Sequence, residues 1–107
     1  MTYRSVAQIV MEKDLPGMVA AGASVTVTCA EIPIRRTAGW HGRWTVTVQS
    51  ADGESLHLVT TCDPSEARVF KTLTGIVSHL VGLGFEPIAI PMAEGGTALN
   101  RFDVPDA

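Results

Sequence analysis

The stretch that most constrains this chain runs from Asp63 to Gly84. Asp63, Pro64, Ser65 and Glu66 form a helix-start signal. Asp63 can accept from the N–H groups of a first turn, Pro64 suits the first helical position, and Glu66 can close a capping box. Val69, Phe70, Leu73, Ile76, Val77, Leu80, Val81 and Leu83 then recur at helical spacing, and Gly82 or Gly84 offers a left-handed stop. The pattern predicts one long amphipathic helix over 63–84. Arg68, Lys71, Thr72, Gly75, Ser78, His79 and Gly82 fall on its polar half. Such a helix must cover an apolar face, and the remaining chain has to supply one.

The strands that can supply it alternate with period two. In Ser24–Cys29, Val25, Val27 and Cys29 point one way and Thr26 and Thr28 the other. The apolar phase then shifts to Ala30, Ile32 and Ile34, which predicts a bulge near Cys29 and Ala30, and Pro33 marks an edge or a loop. Trp44, Val46 and Val48 share a face in the next strand, and Leu56 and Leu58 share one in Ser55–Thr61. Register selects the turn between those two. A two-residue Asp52-Gly53 turn would mix the faces, whereas a three-residue loop with left-handed Gly53 pairs Val48 with Leu56 and Val46 with Leu58. That choice puts Thr47 and His57 together on the opposite face, with Arg43 and Thr45. The face opposite the helix is rich in threonine: Thr26, Thr28, Thr45, Thr47 and Thr61.

Elsewhere the pattern is weaker. Residues 4–22 read as a broken helix: Val6, Ile9, Val10 and Leu15 fit one face, and Pro16 opens a short turn that Gly22 ends. Arg35–Arg43 reads as a loop. Phe85–Pro91 reads as an edge strand, because Pro87 and Pro91 cannot donate to a ladder. Residues 93–97 read as a flexible link, and Leu99–Val104 as a last short strand or a docking tail. The expected architecture is α+β in one domain, 1–107, with 92–107 as a flexible tail. An antiparallel three-stranded sheet is followed by one long amphipathic helix and an edge strand, after a broken helical N-terminus.

Composition sets the class of partner. The chain has 107 residues, 46% of them hydrophobic and 18% charged, which is apolar for so small a domain. That surplus predicts an oligomer interface, with a homodimer as the default. Gly75, Ser78 and Gly82 form a stripe of small residues that would let a second helix approach, and they are the candidate interface; the alternative is a plain solvent face. The net charge of −3 argues against a general polyanion binder, but the charge is uneven. No acidic residue occurs from Ile32 to Ala51, where Arg35, Arg36, His41 and Arg43 fall, while Glu86, Glu94, Asp103 and Asp106 face Arg101 alone near the C-terminus. The first residues lead into Glu12, Lys13 and Asp14 without a long apolar core, which reads as no export signal. No window approaches a membrane span, so a cytoplasmic protein is expected. Cys29 and Cys62 are then most simply buried free thiols.

The stretches Trp44–Val48 (WTVTV), Arg68–Leu73 (RVFKTL) and Leu80–Phe85 (LVGLGF) resemble a class of small proteins encoded on proteobacterial plasmids and integrating elements. Some of these are labelled partition-accessory proteins. The similarity spans roughly residues 43–90 and is a core-packing pattern. It implies a bacterial cytoplasmic protein connected with DNA transactions, and it carries over no activity and no catalytic residue.

The best candidate site is Arg35, Arg36, Trp40, His41 and Arg43. Arginine contacts phosphate bidentately and an exposed Trp can stack on a base, a pairing suited to single-stranded nucleic acid. The alternative is a solvated loop whose Trp40 folds back onto the core. Trp44 shares the phase of Val46 and Val48 and is expected in the core. His57, with Thr47, Arg43 and His41, is a second patch, but no nucleophile or carboxylate can be placed beside it. His79 is expected to be exposed. No C-x-x-C or paired-histidine spacing suggests a metal, and Gly95-Gly96 lacks the Lys-Ser/Thr of a phosphate loop. The sequence therefore predicts a non-enzymatic accessory protein without cofactor or metal. It would bind nucleic acid or a DNA-bound partner through the basic stretch. The alternative is a homo-oligomeric protein-interaction module.

Overall fold

The alternating Val and Thr residues set the frame. In the computed structural model of the protein, which describes residues 9–51, 53–59 and 67–101, they lie on two long central strands. These are β2 (Ser24–Arg36) and β3 (Gly39–Gln49). Around them stand β1 (Ile9–Met11), β4 (Ser55–Val59), β5 (Val69–Thr72) and β6 (Thr97–Asn100), with the short helices α1 (Leu15–Ala20) and α2 (Leu73–Gly82). The sheet is mixed. Its path is β1-β4-β3-β2-β6, with β5 also on β3, and β1 runs parallel to β4. The expected three-stranded antiparallel sheet with one long helix is therefore incorrect: six strands and two short helices are present among the described residues.

The largest departure is at the expected helix. Residues 63–66, the start signal, lie outside the described residues. Val69–Thr72 are strand and only Leu73–Gly82 are helical. The cause is the edge of β3. β4 covers that edge at Thr47–Gln49, leaving the backbone groups of His41–Thr45 to be satisfied. β5 satisfies them, with Trp44 opposite Phe70 and Thr45 opposite Val69, so β4 and β5 follow one another along the same edge. Phe70 is buried and Lys71 exposed, as period two requires. α2 then starts at Thr72, whose hydroxyl accepts from the Gly75 N–H at 3.1 Å. It stops in a Schellman arrangement: the Gly84 N–H donates to the Val81 carbonyl and the Phe85 N–H to that of Leu80, with Gly84 at φ +95°.

The β3–β4 connection matches the register argument. Val48 faces Leu56 and Thr47 faces His57. The Gly53 N–H donates to the Ser50 carbonyl, and Gly53 has φ +93°. The predicted bulge is also present, as a register shift between Cys29 and Glu31, and a second shift follows between Glu31 and Ile34. Cys29 is a buried free thiol that donates to the Glu31 carbonyl; Cys62 and Thr61 lie outside the described residues.

Three other expectations are corrected. Residues 9–11 are strand; a single 3-10 turn over Glu12–Asp14 then leads into α1 at Leu15, with Pro16 in its first turn and Gly22 (φ +108°) just beyond its end. Among the described residues Phe85–Pro91 pairs with no strand. Asn100 holds it instead: the side-chain amide accepts from the Ala89 N–H at 2.6 Å and donates to the Ala89 carbonyl at 2.8 Å. The expected flexible link is tied to β2, because the Cys29 N–H donates to the Gly96 carbonyl and the Gly95 N–H to that of Cys29. β6 then pairs with β2 over Thr97–Asn100, and residues 102–107 lie outside the described residues.

One sheet face carries the core. Val25, Val27, Cys29, Trp44, Val46, Val48 and Leu58 pack beneath Leu15 and Val19 of α1, Ile76 and Leu80 of α2, and Phe85. Trp44 is fully buried, as its phase predicts, and its indole N–H donates to the Pro91 carbonyl at 2.8 Å. The other face is open. One ladder row crosses five strands there as Leu99, Thr26, Thr47, His57 and Ile9. Among the described residues no helix is long and apolar enough to cross a membrane.

Candidate nucleic-acid interface

The basic stretch is a hairpin rather than a loop. Arg36 pairs with Gly39, Arg35 with Trp40 and Ile34 with His41, so the turn is only Thr37 and Ala38. β6 leaves β2 at Val25–Thr28, and β5 reaches β3 no further than His41. Beyond those points the two strands project as a two-stranded arm from about residue 30 to 40, with His41 and Arg43 at its base. Its outer residues are nearly all exposed; Pro33 is the buried exception, lying against Gly42. The backbone at Gly42 is closely packed. A Cβ there would stand 3.1 Å from the Trp44 ring and 3.4 Å from the Pro33 backbone.

Successive residues of a strand point to opposite faces, and this divides the five candidates. Arg36, His41 and Arg43 line one open depression of about 390 Å³, together with Ile32, Ile34 and Lys71. Arg35 and Trp40 are register partners on the opposite face of the arm. The expected grouping of all five around one ligand is thus split: two arginines and a histidine on one side, and an Arg–Trp pair on the other. Trp40 is 37% exposed and does not fold back into the core.

Lys71 is the member that sequence reasoning missed. The helical pattern assigns it to a polar face, but β5 brings it to the depression with Arg43. Its signal is the local alternation of Val69, Phe70, Lys71 and Thr72, read with period two. Ile32 and Ile34, 61% and 53% exposed, give the depression an apolar floor that strand phase alone does not assign.

The charge balance of the depression is positive. Arg43 and Glu31 form an exposed ion pair at 3.4 Å, an arrangement worth at most about 1 kcal/mol and readily exchanged for another anion. Among the described residues Arg35, Arg36 and Lys71 are in no ion pair. The arm therefore offers cations whose charge is not spent within the fold.

The small-residue stripe has a different setting. Gly75, Ser78 and Gly82 line a second open depression with Glu12, Arg68, Phe70 and His79. Arg68 bonds Glu12 through Nε and lies over the Phe70 ring at 4.3 Å, and Phe70 stacks on His79 with centroids 4.8 Å apart. His79 is thus half-buried under this cluster, not exposed as expected, and burial pushes its pKa down. Gly75 has a local reason to lack a side chain: its Cβ would sit 3.0 Å from the capping Thr72 hydroxyl. His57 faces Thr47 on the open sheet face, as expected, in the row that reaches Ile9. Among the described residues no three His, Cys, Asp or Glu side chains converge as a metal site would need.

No family model matches the chain, and no curated protein and no solved structure matches it either.

Proposed function

We propose that the protein binds nucleic acid through the β2–β3 arm, without catalysing a reaction on it. The observation that carries this reading is the convergence of Arg36, Arg43 and His41 with Lys71, from a separate strand, around one exposed depression. Cations from three strands on a projecting ribbon are suited to a phosphate backbone, and the exposed isoleucines add an apolar contact for sugar or base. Binding of this kind releases counterions and weakens steeply with salt. Residues 30–43 hold three arginines against Glu31 alone, so the negative charge of the chain resides elsewhere and opposes binding away from the arm.

The test is anisotropy of a labelled mixed-sequence oligonucleotide, at low and at physiological salt, with the wild type and the Arg36→Ala/Arg43→Ala/Lys71→Ala variant. The reading predicts weaker binding by the variant and a salt slope shallower by about 0.7–0.9 for each phosphate that is no longer neutralised. Equal affinity and slope would remove the arm from the interface.

A second reading rests on the open sheet face. Leu99 and Ile9, 51% and 42% exposed, flank Thr26, Thr47 and His57 in one row, an uncharged surface suited to a second copy of the chain. This reading predicts a dimeric mass by light scattering that Leu99→Glu reduces to the monomer. A monomeric wild type at high concentration would exclude it.

A further inference from the structure

We propose that the arm enters the major groove of duplex DNA tip first, with a cation on each of its faces meeting the phosphates of a different strand. The inference rests on the nucleic-acid reading of the arm and specifies its substrate. Its basis is the split of the candidate residues. Arg36 lies on the face of the depression with Ile34 and His41, while Arg35 and Trp40 occupy the other face one residue further from the turn. A single strand presents one row of phosphates and would use one face. A groove presents two rows, one on each wall.

The dimensions agree. A two-stranded ribbon with its side chains is about 10 Å thick, the distance at which sheets stack. The major groove is about 12 Å wide and the minor groove about 6 Å, so only the former admits the arm without distortion. At about 3.3 Å per residue, the major-groove depth of about 8.5 Å takes up two or three residues of each strand. Those residues are the ones nearest the turn: Arg35 and Arg36 on β2, and Gly39 and Trp40 on β3. Arg43 and Lys71, further back, remain at the rim, where they meet the backbone. The turn itself, Thr37 and Ala38, is small and uncharged and carries no group that the groove floor would reject.

The test compares a labelled duplex, the single strand of the same sequence, and the same duplex carrying bulky C5 substituents on its pyrimidines, which stand in the major groove. Arg35→Ala and Arg36→Ala are measured singly and together; both side chains are exposed and neither supports the fold. The proposal predicts that the duplex binds more tightly than the single strand and that the bulky groups abolish binding. Each substitution should lower the duplex salt slope by about 0.9, and the two effects should add. If the single strand binds as tightly, if only one arginine matters, or if the substituted duplex binds normally, the groove geometry is wrong while the arm reading stands. If neither strand form binds at low salt, the arm reading fails with it.

Discussion

Asn100 is the only buried polar side chain among the described residues, and its two bonds to Ala89 replace what a strand partner would give the 85–91 segment. Asn100→Ala leaves both Ala89 groups without that partner and should cost about 1–3 kcal/mol, read as a lower urea midpoint at unchanged slope. His79 makes the second residue-scale prediction. Desolvation lowers its pKa below the ordinary value of 6.5, with the Glu12 carboxylate opposing and the Arg68 guanidinium assisting, and its Nε2 is buried without a partner among the described residues. The fold therefore favours the neutral ring. That contribution is complete above about pH 6.5 and is lost as pH falls toward the lowered folded value, because the unfolded chain takes up the proton first. The urea midpoint of the wild type should fall between about pH 7.5 and pH 5.5 by more than that of His79→Phe. Equal pH dependence in the two proteins would show that His79 does not set it. At this scale the sequence is partly legible: the phase of Trp44, Val46 and Val48 identifies Trp44 as core, whereas the burial of His79 is hidden because the cluster that covers it comes from separate segments of the chain.

At the scale of elements, α2 shows why a periodic pattern misleads. Over four residues a 3.6 period and a period of two select overlapping positions, so Val69–Thr72 reads either way until the open edge of β3 decides. β1 is illegible for a related reason: three residues carry no period, and their parallel pairing with β4 is a tertiary fact. The β3–β4 register is legible because one loop length alone keeps Leu56 opposite Val48. The observed helix start makes a direct prediction. Thr72→Ala removes the cap and should cost about 1 kcal/mol. Gly75→Ala should also destabilise, despite the better helix propensity of alanine, because its Cβ crowds the Thr72 hydroxyl at 3.0 Å. Gly82→Ala meets nothing within 4 Å and should stabilise by about 0.5–1 kcal/mol. If denaturation instead shows Gly75→Ala gaining stability and Gly82→Ala losing it, the helix ends have been misassigned.

At the scale of the whole molecule, the sheet separates two surfaces. The core face is sealed by both helices and by the segment that Asn100 holds, and the open face continues outward along the arm. The residue types of the arm are legible in sequence, since an acid-free run with three arginines and a tryptophan stands out. Its form is not, because glycines and charges read as a loop when no apolar alternation accompanies them. Nor is its division into two faces, which depends on strand pairing.

The central claim, that the arm is the nucleic-acid contact, is tested most directly by tryptophan fluorescence. Trp40 lies on the arm at 37% exposure and Trp44 is fully buried, so a change on binding reports Trp40. Titration with an oligonucleotide at low salt should alter the emission. The change should diminish at physiological salt and be absent in Trp40→Phe. Unchanged emission from a folded sample at low salt, with no binding by anisotropy, would contradict the account and leave the open sheet face as the surface to pursue.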